Sequence, residues 1–104
     1  MQQTLKNSIQ LEGVGLHSGV NVNVLIKPAD PDTGIIFKRT DVESSRSVIE
    51  ANYKNVSSSE LCTKIKNSHG IAVSTIEHLM AAFYGEGVDN AIVEIDGPEV
   101  PIMD

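Results

Sequence analysis

A single cysteine, Cys62, stands in 104 residues, so no internal disulfide can form, and a lone thiol fits a reducing compartment. Lys and Arg together number only 8, against 14 Asp and Glu, and the basic residues are scattered. A net charge of −6 without clustered cations excludes nucleic acid as the expected partner. No apolar run approaches the length that crosses a bilayer, so no transmembrane segment is expected. Met1-Gln2-Gln3-Thr4 has neither the basic nor the apolar stretch of a secretory signal, and a cytoplasmic location is the expectation. There is no repeat, low-complexity tract or linker. The length allows one domain with a modest core, which the 40% hydrophobic content can fill.

What the chain does contain is short alternating stretches. Thr4 to Glu12 sets Leu5, Ile9 and Leu11 against Lys6, Gln10 and Glu12. Asn21 to Lys27 sets Val22, Val24 and Ile26 against Asn21, Asn23 and Lys27, and the two stretches are expected to pair antiparallel across Gly13-Val14-Gly15-Leu16-His17-Ser18-Gly19. That glycine turn is not a dinucleotide fingerprint, because its spacing is wrong and no helix follows. Pro28 to Gly34 reads as a turn and Ile35 to Thr40 as a third strand. Asp41 to Arg46 is polar loop, Ser47 to Ala51 a short strand, and Val56 to Ser59 a mobile stretch. Leu61 to Lys66 and Ile71 to Val73 flank a hairpin-like turn at Asn67-Ser68-His69-Gly70. Asn90 to Ile95 is a mostly apolar strand, and Glu99-Val100-Pro101-Ile102-Met103-Asp104 reads as a cut through something longer. Five to seven strands and one helix predict a two-layer α+β sandwich, a mainly antiparallel sheet covered by one or two helices.

The helix is Ser74-Thr75-Ile76-Glu77-His78-Leu79-Met80-Ala81-Ala82-Phe83-Tyr84-Gly85. Ser74 and Glu77 have capping-box spacing, and Gly85 is placed as the C-terminal stop. Ile76, Leu79, Met80 and Phe83 form one apolar stripe, with His78, Ala81 and Ala82 on the outer side. A solvated outer face ordinarily carries Lys, Glu or Gln, so this one is expected to be covered by something else.

Glu77 and His78 are the one adjacent carboxylate–imidazole pair. One reading makes His78 a zinc ligand beside Glu77 as general base; the other makes Glu77 a capping residue and His78 a surface imidazole, and spacing alone favours the second. Position i+4 from His78 is Ala82, so the helix supplies one metal ligand at most. Cys62, His69 and His78 match no finger or ribbon spacing. His17, in the glycine turn, is either presented to a cleft or simply a turn residue.

Taken in order, Thr4-Leu5-Lys6-Asn7, Gly13 to Gly19, Asp32-Thr33-Gly34-Ile35, Arg39-Thr40-Asp41, Ser74 to Leu79, Gly87-Val88-Asp89-Asn90 and Glu99 to Asp104 resemble the UDP-3-O-acyl-N-acetylglucosamine deacetylase family along the whole chain. The resemblance implies a zinc-dependent amidase of lipid A biosynthesis, acting on a UDP-linked acylated amino sugar. It implies two similar α+β domains with the site at their junction, of which residues 1–104 are the first and the C-terminal domain is missing. By the family pattern Glu77 is the general base and His78 one zinc (Zn2+) ligand, the others lying in the missing domain. Leu61 and Cys62 fall where an insert contacts substrate. Such a fragment is expected to be inactive alone and to self-associate through the exposed junction. The competing expectations are a non-catalytic binding module and a small self-contained zinc domain built on Cys62, His69 and His78.

Overall fold

A computed structural model describes residues 2–52, 55–58 and 63–101. The elements run β1 (Ile9–Val14), β2 (Asn21–Pro28), β3 (Ile35–Arg39), a 3-10 turn at Ser44–Arg46, β4 (Val48–Glu50), β5 (Val56–Ser58), β6 (Thr63–Lys66), β7 (Ala72–Ser74), α1 (Glu77–Gly85) and β8 (Ala91–Ile95). One sheet has the order β1-β2-β8-β3-β4 and a second the order β5-β6-β7. All pairings are antiparallel except β3 with β8. This is the expected α+β arrangement, with a difference in its second layer. There the helix shares the core with a three-stranded sheet, whose residues Ile65 and Val73 join the same buried cluster.

Register explains which face is buried. Val24 sits opposite Ile95, Ile26 and Phe37 opposite Val93, and Ile49 opposite Phe37. Cross-strand partners point to the same side, so the alternation in each strand sums to one continuous apolar face. Val22, Val24, Ile26, Phe37, Ile49, Ala91, Val93 and Ile95 are all buried there. Ile65, Val73, Ile76, Leu79, Phe83 and Val100 close it from the other side. Each Val, Ile, Leu or Phe among them contributes roughly 1.5–3 kcal/mol of burial. The strand β8 lies between β2 and β3, which is why it reads as a nearly continuous apolar run. Its one charge, Glu94, is turned to the outer face and accepts from Lys27 Nζ at 2.8 Å.

Several local expectations are corrected. Val56 to Ser58 form a paired strand, because Val56 finds Ile65 across from it. The first strand starts at Ile9, which remains 44% exposed; the chain before it is tied instead through a bridge between Thr4 and Asn90. Ser74 does not cap the helix. It ends β7, where its N–H donates to Pro98 O at 2.8 Å and its carbonyl accepts from Val100 N at 3.0 Å. The edge of a strand thus outcompeted a capping box. The helix stop is also two residues late: Gly87, with φ of 72°, is the left-handed residue. Its N–H donates to Tyr84 O and that of Val88 to Phe83 O, the paired bonds of a Schellman motif.

Candidate functional site

The turn between β7 and α1 fixes everything at the helix start. Thr75 has φ of 61°, a left-handed conformation that a β-branched residue strongly disfavours. Two neighbours hold it there. The carbonyl of Thr63, at the start of β6, accepts from the N–H groups of Thr75 (2.8 Å) and Ile76 (3.3 Å). The hydroxyl of Thr75 donates to Glu99 Oε2 at 2.7 Å. Past this bend the chain enters α1 with Glu77 as its first residue.

Glu77 Oε2 accepts from the Thr63 N–H at 2.9 Å. Burial would push this carboxyl up. The amide and hydroxyl of Thr63, the N–H of Glu77 itself and the neighbouring His78 outweigh that and hold it below its ordinary value. Glu77 is therefore an ionised, oriented carboxylate at the positive end of a helix. His78 is exposed on the outer face, as expected, together with Ala81, Ala82 and Gly85. Tyr84 flanks the same face and is 90% exposed. A face of one imidazole, two methyl groups and a glycine offers little to water and a close approach to a packing partner. Ile76, Leu79 and Phe83 are buried on the opposite side, with Met80 half-buried.

The other candidates separate. His69 is exposed in the Asn67–Gly70 turn, its N–H donating to Asn67 Oδ1 at 2.9 Å. His17 has an exposed side chain while its N–H is bound to Glu99. Leu61 and Cys62 lie outside the described residues, as does Asp104. Among the described residues no three His, Cys, Asp or Glu side chains gather to hold a metal ion. The donor set present, one exposed imidazole next to an oriented carboxylate, fits one ligand and one base of a shared metal site.

Sequence reasoning missed Glu99. This carboxylate is 1% exposed, yet charged. Its Oε1 accepts from Ser18 N at 2.8 Å and its Oε2 from Thr75 Oγ1, while both oxygens lie 3.1 Å from His17 N. Burial raises its pKa, but the Thr75 hydroxyl and the Ser18 and His17 donors bring it down to about 2. A Cβ on Gly15 would overlap Glu99 Oε1 and Ser18 Oγ, which is why the turn carries glycine there. An acid set in the apolar run Pro98 to Pro101 was the available signal.

Most remaining motif residues hold backbone. Arg39 grips Asp41 through two nitrogens at 2.8 and 2.7 Å and donates to Ala72 O at 2.8 Å. Buried Asn90 accepts from Gly34 N and donates to Gln2 Oε1, both at 2.8 Å, and Asp89 accepts from Gln3 N at 2.8 Å. Of the helix motif, His78 is exposed, and Glu77 beside it is half-buried with its carboxylate held by Thr63.

Comparison with known proteins identifies the family. The profile of the family described as UDP-3-O-acyl N-acetylglycosamine deacetylase (LpxC) matches residues 2–104. The chain is 54% identical over 103 residues to the UDP-3-O-acyl-N-acetylglucosamine deacetylase of Geotalea uraniireducens (strain Rf4), covering 99% of this chain and 33% of that protein. It is 50% identical to the enzyme of that name from Histophilus somni (strain 129Pt) and 48% identical to that of Haemophilus influenzae (strain PittEE), with the same coverage. The chain thus spans about a third of the length of the curated relatives it matches. With the family profile matched over nearly every residue, the chain belongs to the UDP-3-O-acyl N-acetylglycosamine deacetylase family.

Proposed function

We propose that residues 1–104 are the first domain of a two-domain, zinc-dependent deacetylase that removes the N-acetyl group from a UDP-linked 3-O-acylated N-acetylglucosamine in lipid A biosynthesis. His78 is one zinc ligand and Glu77 the general base; the second domain completes the metal site, and this chain alone is inactive. The observation that carries the reading is the Glu77–His78 pair on a helix face that lacks solvating side chains. Its family membership and the coverage of a third of its relatives support it.

The metal supplies polarisation of the acetamide carbonyl and a lowered pKa for the attacking water. Glu77 takes the water proton at its carboxylate as the C–O bond forms; the C–N bond then breaks as the leaving nitrogen takes up that proton, giving acetate and the amine. The Thr63 amide keeps that carboxylate ionised and aimed before substrate arrives. Leu61 and Cys62, two and one residues before Thr63, are assigned to contact with the substrate. No described helix is long and apolar enough to cross a membrane, and the proposed location is cytoplasmic.

The test is zinc content and deacetylation, for this chain and for the complete protein. The chain alone is expected to show neither stoichiometric zinc nor turnover. In the complete protein, His78→Ala should release zinc. Glu77→Gln should keep zinc and lower kcat by about 100- to 10,000-fold, the worth of a positioned base. Intact deacetylation in both variants would leave a binding module. One tight zinc on the chain alone would leave a self-contained metal domain.

A further inference from the structure

The buried carboxylate of Glu99 reaches two segments that the chain order keeps far apart. On one side are the N–H groups of His17 and Ser18 in the glycine turn; on the other is the hydroxyl of Thr75, two residues before Glu77. Its own segment is locked to β7 by the Ser74–Pro98 and Val100–Ser74 backbone bonds and a bridge between Ser74 and Glu99. A carboxylate can satisfy hydroxyl and amide donors together because it only accepts. A charged acceptor also makes these bonds stronger than neutral ones.

We infer that Glu99 is a positioning residue for the Glu77–His78 pair: it holds Thr75 in its left-handed bend and joins that bend to the glycine turn bearing His17. This rests on the site proposed above but concerns a residue that touches neither metal nor substrate. The route is short. Thr75 sits between two anchors, Glu99 through its hydroxyl and Thr63 through its N–H, and Thr63 in turn grips the Glu77 carboxylate. A left-handed threonine is strained and persists only where its surroundings impose it. When the Glu99 anchor is lost, Thr75 relaxes toward an ordinary conformation, and the first turn of α1 turns with it.

Two substitutions separate positioning from mere stability. Thr75→Val keeps the shape and removes the donor; Thr75→Ser keeps the donor. In this chain, nuclear magnetic resonance should show the His17 and Ser18 amide protons protected from exchange. Glu99→Gln should reduce that protection, since a neutral oxygen replaces a charged one. Thr75→Val should leave it and shift the His78 ring and Glu77 amide signals, and Thr75→Ser should restore the wild-type signals. In the complete protein, Thr75→Val should weaken zinc binding and lower kcat by about tenfold each, within the range for outer contacts of a metal site, with KM little changed. The remote core variant Ile49→Val, which costs stability without touching this network, should change neither. Unmoved His78 signals in Thr75→Val, or unchanged amide protection in Glu99→Gln, would overturn the inference. If the complete wild-type protein does not deacetylate, the proposed reaction fails, while the resonance measurements still decide whether Glu99 sets the pair.

Discussion

Glu99 shows how one residue can tie acid stability to site geometry. Its folded pKa of about 2 lies below the ordinary 4.5, so the unfolded chain binds the proton first as pH falls. The stabilisation is therefore complete above about pH 4.5 and drains away toward pH 2. A depression of that size corresponds to roughly 3 kcal/mol. By pH 3, still above the folded pKa, about 2 kcal/mol of this should be lost relative to pH 6 in urea unfolding of this chain. Glu99→Gln should remove that share, leaving what Asp41 and Glu77 contribute. The Gln variant should also be less stable at pH 6, because a neutral carboxamide with one acceptor oxygen replaces a charged acceptor with two. Gly15→Ala acts on the same contact from the other side. Its new methyl overlaps Glu99 Oε1, and overpacking there should cost about 1–3 kcal/mol. The sequence offers only an acid set in the apolar run Pro98 to Pro101, one among fourteen, and none of its partners. Only folding brings position 99 to positions 17, 18 and 75.

At the scale of elements, the helix was legible in its faces and not in its ends. The period of Ile76, Leu79, Met80 and Phe83 survives any context, because burial of that stripe is what makes the helix form. The ends depend on who else bids for the same backbone groups. Ser74 carries a good capping side chain, yet its hydroxyl donates to Pro98 O at 3.2 Å, since β7 continues through it. At the other end Gly85 stays helical and Gly87 takes the left-handed position. Nothing lies within 4 Å of a Cβ built on Gly87, so Gly87→Ala meets no clash. It should still cost about 1–2 kcal/mol, the conformational penalty alone, while Gly85→Ala should be neutral or stabilising. Thermal unfolding of the two variants checks the assignment of the stop. The strands were read well where one face is buried, as in β2, and poorly where pairing alone holds them, as in β5. A short polar strand carries no hydrophobic alternation to read.

For the whole molecule, the core and the uncovered helix face make opposite predictions. Phe37 and Val93 are completely buried where the two outer halves of the large sheet meet through β8. Phe37→Ala should cost about 3–5 kcal/mol, a large share of what a domain of this size has to lose, and circular dichroism should show it largely unfolded on mild heating. His78, Ala81 and Ala82 lie on the surface instead. In the proposed two-domain enzyme this face is covered, so the chain by itself is expected to self-associate in a concentration-dependent way. An Ala81→Lys substitution should reduce that association, measured by sedimentation, without lowering the melting temperature. Strictly monomeric behaviour of the wild-type chain at high concentration would argue against a covered face.

The sequence by itself determined the α+β class, the apolar faces of the main strands and of the helix, the exposure of His78, Ala81 and Ala82, and the family. These are properties of local period and ordered motifs, which neighbours in space do not rewrite. Tertiary structure alone decided the parallel pairing of β3 with β8, the sharing of the second layer between a helix and a small sheet, and the left-handed Thr75. It also decided the burial of Glu99. Each of those depends on which distant segments meet, and a carboxylate is worth burying only where donors converge on it, here three from two segments.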